Sequence, residues 1–563
     1  MWPARGPRVA RARPGRGRTL TTPGTAYPAE VTDSVDILIS GGTMVDGTGA
    51  QGRPATVLVN GDRLRLVARD EPAPTNVGRH IDATGKVVAP GFIDLHSHGG
   101  LHILAEPRHE PKVRQGVTTE IVGVDGNGAA PFDRREDLEA FVAFDSGLNG
   151  RPDLDYDWRS VADYLARYDG TVSVNVGTLV GNSQLRIAAL GWDDVPADDR
   201  AIAVMAAVLR DAMADGALGL SSGLDYPPGS YATTDELAAL TRTAGQAGGI
   251  YHTHVRYTLG DRYLDPFREA IEIGRRAEAP AHITHFYHRQ THPGGPEALL
   301  ALVDDARAAG LDVTFDTYPS EWASTRLTIQ LPGWIQAGGP GPLKARLADR
   351  AARDRLRTEF AARGAAYTSP AGWADVRLGA FRRPDLLRWE SRTVAEVMIE
   401  TGRDAVDVIA DLLIAEDLGV NQVTSGPWAE TLRPFVAHPV GMVGTDSTFV
   451  GAKPAPRTYG SFPRILGQFV RDEALISLEE AVRKMTGAPA ARLGLHDRGT
   501  IRDGAIADLV VFDPATVRSE ATYDDPRRFP TGIDHVIVNG ALVVDEGAHT
   551  GATPGRAIRL GRD

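Results

Sequence analysis

The chain has 563 residues, more than one ordinary hydrophobic core accommodates, so we expect more than one domain. Hydrophobic residues make up 42% and charged residues 24% of the sequence, and no apolar run approaches the roughly 20 residues of a membrane span. These features favour a soluble protein with no membrane partner. The net charge of −12 argues against nucleic acid as a partner, and the absence of cysteine excludes disulfides and thiolate chemistry.

The first 34 residues are rich in Arg, Pro, Gly and Thr and have hardly any apolar periodicity, so we predict a disordered tail over 1–34. Its basic residues are Arg5, Arg8, Arg11, Arg13, Arg16 and Arg18. The tail has neither the apolar segment of a secretory signal nor an adjacent pair of arginines. We therefore expect a dispensable tail on a cytoplasmic protein.

Short β-type runs, separated by Gly and Asp turns, occur near both ends of the chain. They lie at 36–39, 56–59 and 65–67 on the N-terminal side, and at 508–512 and 535–539 on the C-terminal side. Two such sets on either side of a long middle segment predict a small β-sandwich. We expect residues 35–86 to form its first part and residues 498–563 its second part and a C-terminal tail.

The middle segment, 87–497, alternates strands with amphipathic helices, which is typical of parallel βα units in an α/β protein. The candidate strands cover 87–95, 118–124, 172–180, 217–223, 249–255, 280–286, 312–318 and 440–445. Eight such units predict a (β/α)8 TIM barrel, whose active site lies at the carboxyl ends of the strands. The interval between strands 7 and 8 is too long for one connection, so we predict an inserted lobe at about 333–389.

Metal-ligand residue types recur at the predicted carboxyl ends of five strands. They are His96 and His98 on strand 1, Asp125 after strand 2, His254 on strand 5, His285 on strand 6 and Asp446 after strand 8. Side chains alternate along a strand, so residues 96 and 98 can aim at one cation. A single histidine is more often a core residue, and Asp446 alone would more often cap a turn or helix. Their coincidence at one rim predicts a metal site.

A divalent metal at this rim would lower the pKa of bound water from about 16 to about 7. Two metals need a bridging anion, and the predicted fourth strand, 217–223, has no lysine that could be carbamylated for this purpose. Asp125 is the remaining bridge candidate, although Asp125 and Gly126 could instead form a capped turn. Asp446 would take a proton from the metal-bound hydroxide and pass it to the leaving group.

Several motifs resemble the amidohydrolase superfamily. Pro-Gly-Phe-Ile-Asp-x-His-x-His at 90–98 is similar to the opening signature of that superfamily. The segments at 116–119, 223–228, 253–256, 283–285, 444–446, 456–464 and 497–499 resemble the N-acyl-D-amino-acid deacylase (D-aminoacylase) branch. The resemblance implies a zinc hydrolase that removes the acyl group from an N-acyl-D-amino acid. It also implies that His96, His98, His254, His285 and Asp446 bind metal or act as acid and base.

Three positions depart from the pattern of that branch. Asp125 stands where a cysteine ligand is usual, which keeps the charge but replaces a soft ligand with a hard one, so another divalent metal could replace zinc. Tyr287 stands where a lysine often helps to hold the substrate, and Ala455 stands where a histidine is common. We therefore expect an intact site for one or two zinc ions beside an altered substrate pocket.

A free carboxylate on the substrate calls for a guanidinium group, and Arg457 is the first candidate by its position in the resemblance. Further candidates for substrate contact are Tyr226, Arg256, Tyr287 and Tyr318. The alternative for Arg457 and Arg464 is a structural ion pair beneath the loop, and it has more weight for Arg464 than for Arg457.

We predict a metal-dependent hydrolase that acts on linear amides in small-molecule substrates. A cyclic-amide hydrolase of the hydantoinase or dihydroorotase kind and a dipeptidase are the enzymatic alternatives, and the missing lysine of strand 4 counts against the former. A barrel that only binds its ligand is the alternative without catalysis. Such a protein would be expected to have lost metal ligands.

Overall fold

The computed structural model describes residues 34–562, except 69–70, 72–73 and 258–261. The predicted disordered tail lies outside these residues, apart from Ser34, which begins the strand Ser34–Ser40. Among the helices of the described ranges, none combines the length and the apolar character needed to cross a membrane.

A parallel barrel forms the centre of the molecule. Its eight strands are Phe92–Asp94, Val117–Val122, Asn175–Thr178 continued by Val180–Gly181, Gly219–Gly223, Ile250–His254, Ala281–Ile283, Val313–Thr317 and Gly441–Val443. Neighbouring strands pair in this order. The first and last strands close the barrel just beyond their ends, where the amide of Asp446 donates to the carbonyl of His96 at 2.8 Å. The predicted (β/α)8 fold class is confirmed.

Helices surround the barrel. Those outside the inserted lobe are Gly100–Ala105, Glu110–Val113, Arg135–Asn149, Val161–Ala166, Asn182–Leu190, Asp199–Ala214, Thr234–Gln246, Asp265–Ala277, Glu297–Ala308, Arg457–Arg464, Leu478–Met485 and Gly487–Arg492, with a π-helix at Ile465–Asp472. In the helix Thr234–Gln246, Thr233 caps the N-terminus, and Leu237, Leu240 and Ala244 recur at helical spacing to face the core.

Two sheets form the β-sandwich. The four-stranded sheet has the order Arg63–Leu66, Val57–Asn60, Ser34–Ser40 and Asn76–Asp82. The seven-stranded sheet has the order Ala548–His549, Ala541–Asp545, Ile533–Val538, Leu509–Phe512, Val87–Pro90, Thr43–Met44 and Arg53–Pro54. Apolar side chains from both chain ends, including Ile39, Val57 and Val511, pack in one core between the sheets.

The predicted first barrel strand, 87–95, is two strands in different sheets. Val87–Pro90 belongs to the sandwich and Phe92–Asp94 to the barrel. Gly91 joins them at a close approach, because a Cβ atom there would lie 2.2 Å from Thr118 Cγ2. The segment 498–563, predicted as the second part of the sandwich and a tail, also contributes to the barrel sheet. Its strand Ala557–Ile558 pairs with the third barrel strand.

An inserted lobe separates the seventh and eighth barrel strands. It contains an antiparallel sheet in the order Trp322–Arg326, Asn421–Ser425 and Arg377–Gly379. Its helices are Gly333–Gln336, Pro340–Ala348, Arg350–Arg363, Val394–Thr401, Ala405–Ala415 and Leu432–Ala437. The lobe is longer than the predicted 333–389, because the strand from Trp322 pairs with the strand that ends at Ser425.

Candidate metal centre

The side chain of Asp125 lies at the middle of the predicted ligand set. Its Oδ2 atom is 3.4 Å from His96 Nε2, 3.7 Å from His98 Nε2, 3.5 Å from His254 Nδ1 and 3.4 Å from His285 Nε2. The amide of Gly126 donates instead to Ser221 Oγ at 3.1 Å, so the carboxylate of Asp125 does not cap that turn. Four imidazoles from three strand ends therefore face one carboxylate oxygen.

Asp446 completes one half of the cluster. Its Oδ1 lies 3.2 Å from His98 Nε2 and 3.7 Å from His96 Nε2. The ligand atoms form two groups, each within 4.8 Å: His96, His98, Asp125 and Asp446 in one, and Asp125, His254 and His285 in the other. Asp125 belongs to both groups, so the geometry offers two adjacent cation positions with a shared carboxylate.

Three of these side chains reach the centre from a left-handed backbone. The φ angles are 52° at Asp125, 33° at His285 and 47° at Asp446, and all three residues follow a barrel strand. A residue other than glycine in this region costs on the order of 1–3 kcal/mol and persists where the surroundings enforce it. Such strain concentrates at functional sites, and here it turns two carboxylates and one imidazole inwards.

A hydrogen-bond partner holds each imidazole on the side facing away from Asp125. The pairs are His96 with Asp316 at 3.3 Å, His98 with Asn149 at 3.0 Å, His254 with Asp225 at 3.1 Å and His285 with Tyr257 at 2.9 Å. Such partners fix the ring orientation and leave the other nitrogen for a metal. None of these four partners was predicted from the sequence as a site residue. Two of them were close to predicted site motifs, since Asp225 lies in the segment 223–228 and Tyr257 lies three residues after His254. For Asp316 and Asn149, no nearby motif indicated a contact with a histidine.

The charges in the cluster favour a bound cation. Burial alone would raise the pKa of Asp125, but the neighbouring His96 and His285 hold it well below its usual range. For His254, burial lowers the pKa, yet hydrogen bonds to Asp125 and Asp225 outweigh it and raise the pKa to about 9. The raised pKa of His254 means that this imidazole must lose a proton before it binds a cation.

The donor set fits zinc. Within the described ranges, His96 Nε2 is buried and has no hydrogen-bond partner, although it faces the centre. Imidazole nitrogens with carboxylate oxygens are ligands that Zn²⁺ accepts. A buried nitrogen that faces two carboxylates without a hydrogen bond is a suitable ligand for a cation between them.

The sequence model of the amidohydrolase family matches residues 79–544. The chain belongs to the amidohydrolase family. It is 34% identical to a D-aminoacylase of Alcaligenes xylosoxydans xylosoxydans, over 93% of this chain and 97% of the relative. It is also 34% identical to an N-acyl-D-glutamate deacylase of the same organism, over 94% of this chain and 97% of the relative.

A solved structure extends the likeness to three dimensions. The N-acyl-D-glutamate deacylase of Bordetella bronchiseptica, complexed with zinc and a phosphonate inhibitor that mimics the tetrahedral intermediate of the reaction, matches with a TM-score of 0.78. The identity is 30%, and the match covers 93% of this chain and 100% of that structure. The resemblance to the D-aminoacylase branch is confirmed.

In this amidohydrolase, Arg457 lies against Asp446. Its Nη2 is 2.8 Å from Asp446 Oδ2, and its Nε donates to the Asp446 carbonyl at 2.8 Å. Nη1 donates to the carbonyl of Trp322 in the inserted lobe at 2.8 Å, and the guanidinium stacks 4.2 Å from the ring centre of Tyr318. Arg457 therefore holds Asp446 and links it to the lobe.

The other predicted arginine contact is different. Arg256 donates to the carbonyls of Ser230 at 2.5 Å and Ala232 at 2.8 Å, and lies 3.4 Å from Glu269. The scaffold engages these donors in this structure, and contact of Arg256 with substrate stays a prediction. Arg464 pairs with Glu321 at 2.6 Å, which is the structural ion pair considered as its alternative.

The three predicted tyrosines lie around the ligand histidines. The ring of Tyr226 is 4.8 Å from that of His254. The ring of Tyr287 is 6.2 Å from that of His285 and 5.6 Å from that of Tyr318. These side chains form an aromatic wall beside the cluster of the amidohydrolase.

Proposed function

We propose that this amidohydrolase is a zinc-dependent deacylase that hydrolyses the amide bond of N-acyl-D-amino acids. The observation that carries the proposal is the position of Asp125 Oδ2 within 3.4–3.7 Å of four imidazole nitrogens at the rim of the barrel. The names of the relatives, a D-aminoacylase and an N-acyl-D-glutamate deacylase, support the class of substrate and the preference for the D configuration. A cytoplasmic location stays a prediction.

One zinc ion would be held by His96, His98, Asp125 and Asp446, and a second by Asp125, His254 and His285. Bound zinc supplies a water molecule of lowered pKa and polarises the amide carbonyl. Asp125 stays ionised between the two positions, because the surrounding imidazoles lower its pKa.

Asp446 is the proposed acid and base. Burial raises the pKa of Asp446, but the charge of Arg457 and the hydrogen bond with His98 lower it by more. The net shift is downward, so the carboxyl is ionised. An ionised Asp446 accepts the proton of the attacking water and then donates it to the departing amine. Arg457 fixes the orientation of this carboxylate through its contacts with Oδ2 and the carbonyl.

Substrate contacts are proposed for the aromatic wall and for Arg457. Tyr226, Tyr287 and Tyr318 present rings and hydroxyls beside His254 and His285. Arg457 remains a candidate for the α-carboxylate, and contact with substrate would require it to exchange at least one of its present hydrogen bonds.

A hydrolysis screen with paired N-acetyl-D and N-acetyl-L amino acids, in the presence of added Zn²⁺, tests the proposal. Leucine, glutamate and aspartate derivatives cover neutral and acidic side chains, and hydantoins serve as the contrast. Release of free amino acid from the D members, but not from the L members, is expected. Ring opening of hydantoins with no cleavage of any N-acetyl amino acid would overturn the proposal.

A further inference from the structure

Arg289 lies close to the candidate metal centre and has no ion pair among the residues that the structure describes. It follows the sixth barrel strand, and its Nη2 contacts the hydroxyl of Tyr287 at 3.1 Å. Its guanidinium lies 4.5 Å from the ring centre of Tyr257 and 5.4 Å from that of Tyr287. Its Nε atom is buried and has no hydrogen-bond partner within the described part of the chain, and no carboxylate there lies within 4.0 Å.

Two other arginines that stack on tyrosines, Arg457 on Tyr318 and Arg326 on Tyr226, are already engaged. Arg457 pairs with Asp446. Arg326 pairs with Asp145, and both of these side chains are buried. Stacking on aromatic rings stabilises a guanidinium by less than it costs to leave a largely buried charge unpaired. Arg289 therefore lacks an anion in direct contact within the described part of the chain.

The aromatic side chains connect Arg289 to the reacting centre. Tyr257, over which the guanidinium lies, contacts His285 Nδ1 through its hydroxyl at 2.9 Å. Tyr287, the second stacking partner, has its ring 5.6 Å from that of Tyr318. Arg289 thus stacks on Tyr257 and Tyr287, and Tyr257 in turn contacts the candidate metal ligand His285.

A carboxylate is the group that matches the unpaired donors of Arg289. The two oxygens of a carboxylate accept parallel hydrogen bonds from a guanidinium, here from the unpartnered Nε and a terminal nitrogen. An N-acyl amino acid has such a group close to its scissile amide. An acidic substrate has a second carboxylate on its side chain.

We propose that Arg289 binds a carboxylate of the substrate and thereby selects anionic N-acyl amino acids. This inference rests on the proposed deacylase function and deepens it, because it assigns a specificity-determining residue. The α-carboxylate and an acidic side chain share the chemistry that Arg289 recognises, and the substrates of the test separate them.

The test measures kcat and KM of metal-loaded wild type, Arg289→Met and Arg289→Lys. The four substrates are N-acetyl-D-leucine, its amide, N-acetyl-D-glutamate and N-acetyl-D-glutamine. Arg275→Met is the matched control, since Arg275 pairs with Glu272 on the exposed surface of a helix. Metal content and thermal midpoint are measured for each variant.

If Arg289 binds the α-carboxylate, Arg289→Met raises KM for N-acetyl-D-leucine about 10- to 100-fold and changes KM for the amide much less. If it binds the side chain, only the glutamate derivative is affected, and the glutamine derivative is not. In both cases Arg289→Lys recovers part of the affinity, because it keeps the charge but loses the fork of donors.

Equal changes of KM for all four substrates, or no change for any, would overturn the inference. A merely structural effect would lower kcat, metal content or the thermal midpoint without separating charged from neutral substrates. If wild type cleaves none of the four compounds, the proposed function itself fails, and this inference fails with it. If wild type cleaves them and the ratios stay constant, only the assignment of Arg289 fails.

Discussion

Replacing Asp125 removes the one charge that both halves of the cluster share. The distance from Asp125 Oδ2 to His254 Nδ1 is 3.5 Å. At an effective dielectric constant of about 20, two opposite elementary charges at this distance attract each other by about 5 kcal/mol. Dehydration of the buried carboxylate offsets part of this energy. We therefore expect Asp125→Asn, which keeps the volume and removes the charge, to weaken metal binding by at least about 3 kcal/mol, or more than about 100-fold.

Elemental analysis of the purified variants and competition with a chromophoric zinc chelator measure this loss. Asp125→Ala should lower metal content and activity together, and excess zinc should restore part of both. Asp125→Cys should recover zinc binding, because a thiolate beside Zn²⁺ is deprotonated and is itself a good ligand. Full metal content and full activity in Asp125→Asn would refute the reasoning, since asparagine retains the shape but not the charge.

Asp446→Asn should keep the fold and lower kcat about 10²- to 10⁴-fold in metal-loaded enzyme, because an amide cannot relay the proton. Near-normal turnover of this variant in steady-state kinetics would show that Asp446 is not the acid and base. Arg457→Met should lower kcat and also raise KM more for a free N-acyl amino acid than for its amide, and equal changes of KM would leave it only the function of holding Asp446. Metal affinity should increase as pH rises towards about 9, because the raised pKa of His254 means that a proton must leave before metal binds. Chelator competition at several pH values measures how steeply the metal affinity rises, which is expected to be up to about tenfold per pH unit for one displaced proton. An affinity that does not change with pH would contradict the assignment of His254 as a metal ligand.

The clustering of the candidate ligands was predictable because it depends on local geometry and on the topology of a parallel barrel. Alternation along a strand aligns His96 with His98, and parallel pairing brings the ends of distant strands to one rim. The chemistry of Asp125 was also accessible, since the sequence offers no lysine on strand 4 to serve as the bridge. The metal and acid/base assignments of these residues stay predictions until variants are measured.

Contacts that cross between distant elements were not predictable in the same way. Arg457 donates to a carbonyl of the inserted lobe, and Arg256 donates to the loop before a neighbouring helix, so residue type alone did not show which guanidinium is engaged. The strand break at Gly91 depends on Thr118 of the adjacent strand, which no local pattern reveals. The left-handed φ of Asp125 is likewise imposed by its surroundings.

The pairing of Pro90 with Leu509 has a consequence for biosynthesis. The strand Val87–Pro90, which leads directly into the first barrel strand, can pair early with Thr43–Met44, but its other side remains an open sheet edge until the ribosome has made the barrel strands and the lobe. Exposed edges of this kind attract other chains, and closing so long a loop is slow. We expect the last folding step to be the docking of the C-terminal strands, so that chains truncated before Leu509 aggregate, even though every proposed metal ligand has already been translated.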